Sequence, residues 1–78
     1  FKVYVLLSLT TGNRYVGQTS DIEKRLIAHN SGDSRYTKNR GPWRLIYTEV
    51  YLSRSEAIKR EKYLKTGKGR EFIDSLTK

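Results

Sequence analysis

Lys2-Val3-Tyr4-Val5-Leu6-Leu7-Ser8-Leu9-Thr10-Thr11-Gly12-Asn13-Arg14-Tyr15-Val16-Gly17-Gln18 contains two apolar runs around a polar break. Val and Leu dominate Val3 to Leu9, which reads as a strand. Gly12 and Asn13 tolerate positive φ, so Thr10 to Asn13 reads as a turn. Arg14 to Gln18 resumes as a second, shorter strand, and the two runs predict a β-hairpin. If even positions of the first strand lie level with odd positions of the second, each face receives a definite set. Val3, Val5, Leu7, Leu9 and Val16 form a core face. Tyr4, Leu6, Tyr15 and Gly17 form the other, an apolar floor carrying two hydroxyls. A slip of one residue would separate the tyrosines.

Downstream, Ser20-Asp21-Ile22-Glu23 has the form of a capping box and starts a helix to about Asn30, with Gly32 able to end it. Ile22, Leu26 and His29 fall on one stripe, and Arg25, four residues before His29, shares its face. Gly32 to Pro42 is a polar, basic loop, the expected mobile segment and a candidate clamp for a substrate backbone. Trp43 to Tyr51 reads as a third strand, with Trp43, Leu45, Tyr47, Glu49 and Tyr51 alternating against Arg44, Ile46, Thr48 and Val50. Ser53-Arg54-Ser55-Glu56 is a second capping box, opening a helix to about Thr66. Ala57, Glu61 and Leu64 stand at i, i+4 and i+7, so Glu61 lies on the apolar stripe. Gly67 and Gly69 read as a break before a short last helix with Phe72, Ile73 and Leu76 inward. The order β-β-α-β-α-α predicts an α+β fold: a three-stranded antiparallel sheet flanked by helices, in a single domain over residues 1–78.

Sixteen Lys and Arg against eight Asp and Glu give a net charge of +8. That is the electrostatic footprint of a nucleic-acid binder. Its distribution supports this over general solubility. Arg35, Lys38, Arg40 and Arg44 cluster without an acid, and Lys59 to Arg70 holds six bases against one acid, Glu61. No strongly apolar helix face accompanies the charge, which argues against a membrane surface. No apolar run reaches the roughly 20 residues that span a bilayer, and no signal-peptide pattern opens the chain. The absence of cysteine excludes disulfide and thiolate-metal staples and fits a reducing, cytoplasmic setting. The absence of methionine implies that Phe1 is not a native start.

Tyr4, Tyr15 with Gly17, Arg25, His29 and Glu61 are residue types used in phosphodiester hydrolysis. Together they resemble the GIY-YIG nuclease family, which includes a nuclease domain of the excision-repair machinery. Lys2-Val3-Tyr4 matches the family's first motif and Tyr15-Val16-Gly17 its second, at the spacing of a short hairpin. Asp21 to Arg25 followed by His29 is similar to the family's first helix, with its catalytic Arg and downstream His. Glu61 falls where the family has its metal-binding Glu. Tyr36-Thr37 followed by Arg40-Gly41-Pro42-Trp43 is similar to small single-domain bacterial members. The chain departs from the pattern in having Lys2 in place of Gly and no Asn after Asn39.

The resemblance implies a metal-dependent DNA endonuclease, in repair or recombination. Glu61 suits a hard cation, Mg²⁺ or Mn²⁺, which takes oxygen ligands and accepts a single carboxylate plus water and substrate oxygens. The plainer reading of Glu61 is a surface ion pair with Lys65 at i+4, which does not account for its inward direction. Arg25 would grip the scissile phosphate and stabilise the transition state, and His29 would relay a proton or orient a tyrosine. Strand tyrosines are commonly packing residues, and a phenol of pKa about 10 is a poor base at neutral pH. Arg25 and a cation would lower that value. The resemblance implies one tyrosine as general base and one holding water or phosphate, with Tyr4 favoured as the base. Gly17 would permit close backbone approach. Arg35, Lys38, Arg40, Arg44, Lys62, Lys65 and Lys68 would contact phosphates. Tyr36 would stack on a base, while Trp43 reads better as core. No sequence-reading element is evident, so DNA shape or a protein partner would supply specificity. The competing readings are a partner-dependent or non-catalytic binding module of the same fold, and a basic RNA-associated protein.

Overall fold

A computed structural model of the chain describes residues 1–32 and 40–76. The element order is β1 (Lys2–Ser8), β2 (Arg14–Thr19), α1 (Ile22–Ser31), β3 (Trp43–Val50), α2 (Arg54–Leu64) and α3 (Gly67–Leu76). The strands form one antiparallel sheet in the order β2-β1-β3, with β1 central. This is the expected α+β layout. The hairpin register is also as expected: Tyr4 lies opposite Gly17, Val5 opposite Val16 and Leu6 opposite Tyr15.

Helices cover both faces of the sheet. On one face Val3, Val5 and Val16 pack with Ala57 and Leu64 of α2 and Ile73 of α3. On the other, Tyr4, Leu6 and Trp43 pack with Tyr15, Leu45 and the α1 residues Ile22 and Leu26. The tyrosine face is therefore a second core, not an open floor, and Tyr4 is fully buried. Trp43 is core, as expected.

Four local readings are corrected. Leu9 is exposed, because the chain turns at Ser8, whose Oγ accepts from the backbone N–H groups of Thr10 and Thr11. The cap of α1 is Asp21 rather than Ser20, its carboxylate accepting from Lys24 N at 3.1 Å, while Gly32 closes the helix at φ 85° as expected. In β3 a bulge falls between the residues facing Val5 and Leu6, so Tyr47 pairs with Val5 but Leu45 with Leu6. One extra residue reverses the facing side. Trp43 and Leu45 join the tyrosine face, whereas Tyr47 and Tyr51 pack on the α2–α3 side. Finally, Gly67 and Gly69 lie inside α3 rather than between helices. A Cβ at Gly69 would collide with the Tyr63 carbonyl and Leu64 Cα, so the missing side chain lets α3 close against the end of α2.

A polar clamp ties α2 to β3. The Glu49 carboxylate accepts from the Tyr47 and Tyr51 hydroxyls, each at 2.6 Å, and from Arg60 at 3.0–3.3 Å. Hydrogen bonds to a charged partner in a partly desolvated setting are the stronger kind.

Candidate active site

The site residues come from four elements, β1, β2, α1 and α2. β1 and β2 supply Tyr4 and Tyr15 on one face. Helix α1 is laid over that face by its apolar stripe and by Asn30, whose side chain accepts from Trp43 N at 2.7 Å and donates to Trp43 O at 3.1 Å. This brings His29 down onto the tyrosines. Its Nε2 lies 2.9 Å from the Tyr4 hydroxyl. The Tyr15 ring centroid stands 4.8 Å from that of His29 and 6.2 Å from that of Tyr4. Gly17 makes this possible. A Cβ there would sit 2.5 Å from the Tyr4 hydroxyl oxygen and 2.6 Å from Cζ.

Electrostatics follow from the burial. Desolvation raises the Tyr4 pKa above 10.0, although interaction with Arg25 opposes it. The expected lowering by Arg25 is thus outweighed, because a phenolate inside this core would lose its hydration. Arg25, exposed on α1, has its own pKa raised, chiefly by hydrogen bonding to Tyr4 and more weakly by Tyr15. His29 is 2 % exposed, and its pKa is lowered from 6.5 by burial first and by Arg25 second. It is neutral at pH 7. The structure therefore brings Tyr4, Tyr15, Arg25 and His29 into one cluster.

Glu61 approaches from the opposite side of the sheet. It lies on α2 between buried Ala57 and Leu64, with its side chain 21 % exposed, and its charge contributes to raising the Tyr4 pKa. The plainer reading also holds, since Lys65 Nζ lies 2.7 Å from Glu61 Oε2. An exposed i,i+4 pair of this kind contributes only about 0.3–0.5 kcal/mol. A divalent cation could displace the lysine.

Two features were missed by the sequence reading. A groove of about 540 Å³ is lined by Arg14, Tyr15, Val16, Leu64, Lys65 and Arg70. Only the charge run from Lys59 to Arg70 hinted at it. The second is Gln18, whose side-chain oxygen is buried with no hydrogen-bond partner among the described residues. The partly buried Glu61 carboxylate is a hard oxygen donor of the kind a divalent cation takes. No cluster of three or more His, Cys, Asp or Glu occurs among the described residues, so such a cation would take further ligands from water or substrate.

Among the expected phosphate contacts, Lys65 lines the groove, and Arg40, Arg44, Lys62 and Lys68 are exposed. Arg44 pairs with Leu7, beyond the bulge, and so leaves the tyrosine face. Arg35, Tyr36 and Lys38 of the basic loop lie outside the described residues.

The family model described as the GIY-YIG catalytic domain matches residues 1–72. The chain belongs to the GIY-YIG family. GIY-YIG domains are nuclease catalytic domains, and membership gives this chain the nuclease reading. It is 50% identical over 56 residues to a UPF0213 protein of Staphylococcus saprophyticus, covering 70% of this chain and 68% of that one. A UPF0213 protein of Halobacterium salinarum is 42% identical over 64 residues, 81% of this chain and 82% of the other. The solution structure of a UPF0213 protein from Bacillus halodurans is 36% identical, with a TM-score of 0.57 over 96% of this chain and 82% of that one. No helix among the described residues of this GIY-YIG chain is long and apolar enough to cross a membrane.

Proposed function

We propose that the protein is a DNA endonuclease that hydrolyses phosphodiester bonds with one divalent cation, Mg²⁺ or Mn²⁺, held by Glu61. The observation that carries this reading is the convergence of Tyr4, Tyr15, Arg25 and His29 in one cluster, with the Tyr4 hydroxyl 2.9 Å from His29 Nε2 and both tyrosine rings against the imidazole.

The Arg25 guanidinium, exposed beside the tyrosine pair, binds the scissile phosphate and neutralises the charge that grows on it during attack. Tyr4 does not act as a base through a lowered pKa, since its burial raises it. Its proton instead passes to the neutral Nε2 of His29 as Tyr4 accepts one from the attacking water. Tyr15, half-buried beside His29, holds the water or a phosphate oxygen. When bound, the cation would polarise the phosphate and stabilise the leaving oxygen. Lys65, Arg70, Arg40, Arg44, Lys62 and Lys68 add phosphate contacts that are blind to sequence and weaken with salt. By analogy with its family, the protein acts in DNA repair or recombination, with DNA shape or a partner supplying specificity.

The test is nicking of labelled single-stranded, duplex, flap and branched DNA with Mg²⁺ or Mn²⁺, comparing parent with Glu61→Gln. Metal-dependent cutting that disappears in the variant while DNA binding persists supports the reading. A folded parent that binds but never cuts would leave a binding module. The buried Tyr4 and the Lys65-paired Glu61 are the observations that keep this second reading in view.

A further inference from the structure

Gln18 is the one described residue with a buried side-chain polar atom that has no hydrogen-bond partner. Such an oxygen has surrendered its water without compensation, a cost that an apolar residue of similar size would avoid. Its placement suggests what it is kept for. Gln18 pairs with Val3, two residues beyond Val16, on the face where Val3 and Val16 pack against α2. Glu61 enters that interface between Ala57 and Leu64 of α2. Gly17, beside Gln18, lies against the Tyr4 hydroxyl on the opposite face. Gln18 and Glu61 therefore belong to the strand and the helix that pack together on this face of the sheet.

Other partners are less suited. Lys65 is already engaged by Glu61 Oε2 at 2.7 Å. The Glu49, Tyr47, Tyr51 and Arg60 clamp satisfies its own groups on β3, which is separated from β2 by β1. A neutral carbonyl oxygen beside a carboxylate is the donor pair of a hard divalent cation. We propose that the Gln18 amide oxygen is a second oxygen donor for the divalent cation assigned above to Glu61. The inference rests on that assignment. It adds that an uncharged residue on β2, following the second tyrosine motif, shares the cation and leaves an unsatisfied oxygen in the metal-free fold.

The test is Mn²⁺ binding to the metal-free protein without DNA, followed by paramagnetic broadening of NMR signals, with thermal unfolding measured with and without Mn²⁺. Gln18→Leu should melt at or above the parent's temperature without cation, because the unsatisfied oxygen is gone. Its Mn²⁺ affinity should fall by about 10-fold or more, the usual scale for losing a metal-supporting group. Gln18→Glu should bind Mn²⁺ more tightly than the parent, and Gln18→Met repeats the test if leucine is poorly accommodated. Two results overturn the inference. One is parental Mn²⁺ affinity in Gln18→Leu and Gln18→Met while Glu61→Gln loses binding. The other is a clear drop in the metal-free melting temperature of both apolar variants, which would give the oxygen a structural partner. If Glu61→Gln itself binds Mn²⁺ like the parent, the Glu61 assignment has failed, and this inference falls with it.

Discussion

Gly17→Ala should destabilise the fold, and the structure sets both the sign and the scale. Gly17 is buried in β2 without positive φ, so the backbone alone would favour alanine. Restricting the unfolded chain in this way stabilises by about 0.4–1 kcal/mol. The space argues the other way. The new Cβ would stand 2.5 Å from the Tyr4 hydroxyl oxygen, 2.6 Å from its Cζ and 3.1 Å from Tyr15 Cε1. Carbon–carbon contacts are comfortable near 3.5–4.0 Å, so the Tyr4 ring must retreat by about 1 Å. It has nowhere to go, being fully buried beside Leu6 and held to His29. Overpacking of this kind costs about 1–3 kcal/mol, which exceeds the backbone gain over most of its range. For a domain of this size, each kcal/mol lowers Tm by about 4–8 °C.

The assay is urea and thermal unfolding of Gly17→Ala in two backgrounds, the parent and Tyr4→Leu. Removing the phenol removes the two closest atoms and leaves only the 3.1 Å approach to Tyr15 Cε1, so most of the cost of alanine should disappear in the second background. That coupling is what a double-mutant cycle measures. A Gly17→Ala protein as stable as its parent would refute the argument. So would an equal loss in both backgrounds, which would place the clash elsewhere.

The pKa of His29, the chain's single histidine, should have a midpoint below 6.5 in an NMR titration, because burial and then Arg25 oppose its charge. The unfolded chain then binds the proton more readily, so stability should fall as pH drops from about 6.5 toward the folded value; a midpoint at or above 6.5 would contradict this. Glu49→Gln should cost about 1–3 kcal/mol at neutral pH, since it replaces a charged acceptor of three partners. Burial raises the Glu49 pKa, but hydrogen bonds from Arg60, Tyr47 and Tyr51 outweigh it and hold the value below 4.5. Its contribution is therefore present above the unfolded carboxylate's pKa and lost as pH falls through the lower folded value. Urea midpoints from pH 6 to 2 should fall more steeply for the parent than for Glu49→Gln, and parallel curves would refute the assignment. Gly69→Ala should also lower the urea midpoint, despite the helix preference for alanine of about 1 kcal/mol, because its Cβ meets backbone atoms of Tyr63 and Leu64. A gain in stability would show that α3 can shift away from α2.

What the sequence made legible was what alternation controls. The Tyr4–Gly17 and Leu6–Tyr15 pairings follow from a two-residue period that a one-residue slip would have broken. The inward lean of Glu61 follows from its spacing with Ala57 and Leu64. The bulge in β3 was hidden because Leu45 and Ile46 are both apolar, so either could face inward. Ser20 and Asp21 are adjacent cap-formers, and their order of use depends on backbone geometry. The raised Tyr4 pKa was hidden for a different reason. It depends on how completely α1 and Trp43 close over the ring, which no local pattern encodes. Gln18 gave no signal at all, because an isolated polar residue near a strand end ordinarily faces water.

The position of β2 explains why these residues can act together. Arg25 and His29 belong to the helix on one face of the sheet, and Glu61 belongs to the helix on the other. Layers packed on a sheet are about 10 Å apart, so groups on opposite faces of a central strand cannot address one phosphate. At an edge strand they can, because there is room for a ligand alongside the sheet. β2 is such an edge, yet Tyr4 is on the central strand β1. Only its length, and the absence of a side chain at Gly17, lets its hydroxyl lie over β2 toward that edge. The same reach leaves the phenol buried, where it resists ionisation on its own. In the proposed mechanism a tyrosine placed this way needs a proton acceptor in direct contact, and His29 Nε2 lies 2.9 Å from its hydroxyl. Phenylalanine at Tyr4 and glutamine at His29 should then affect cleavage as one unit, with the double variant little worse than either single variant. Losses that multiply would assign the two side chains to separate steps.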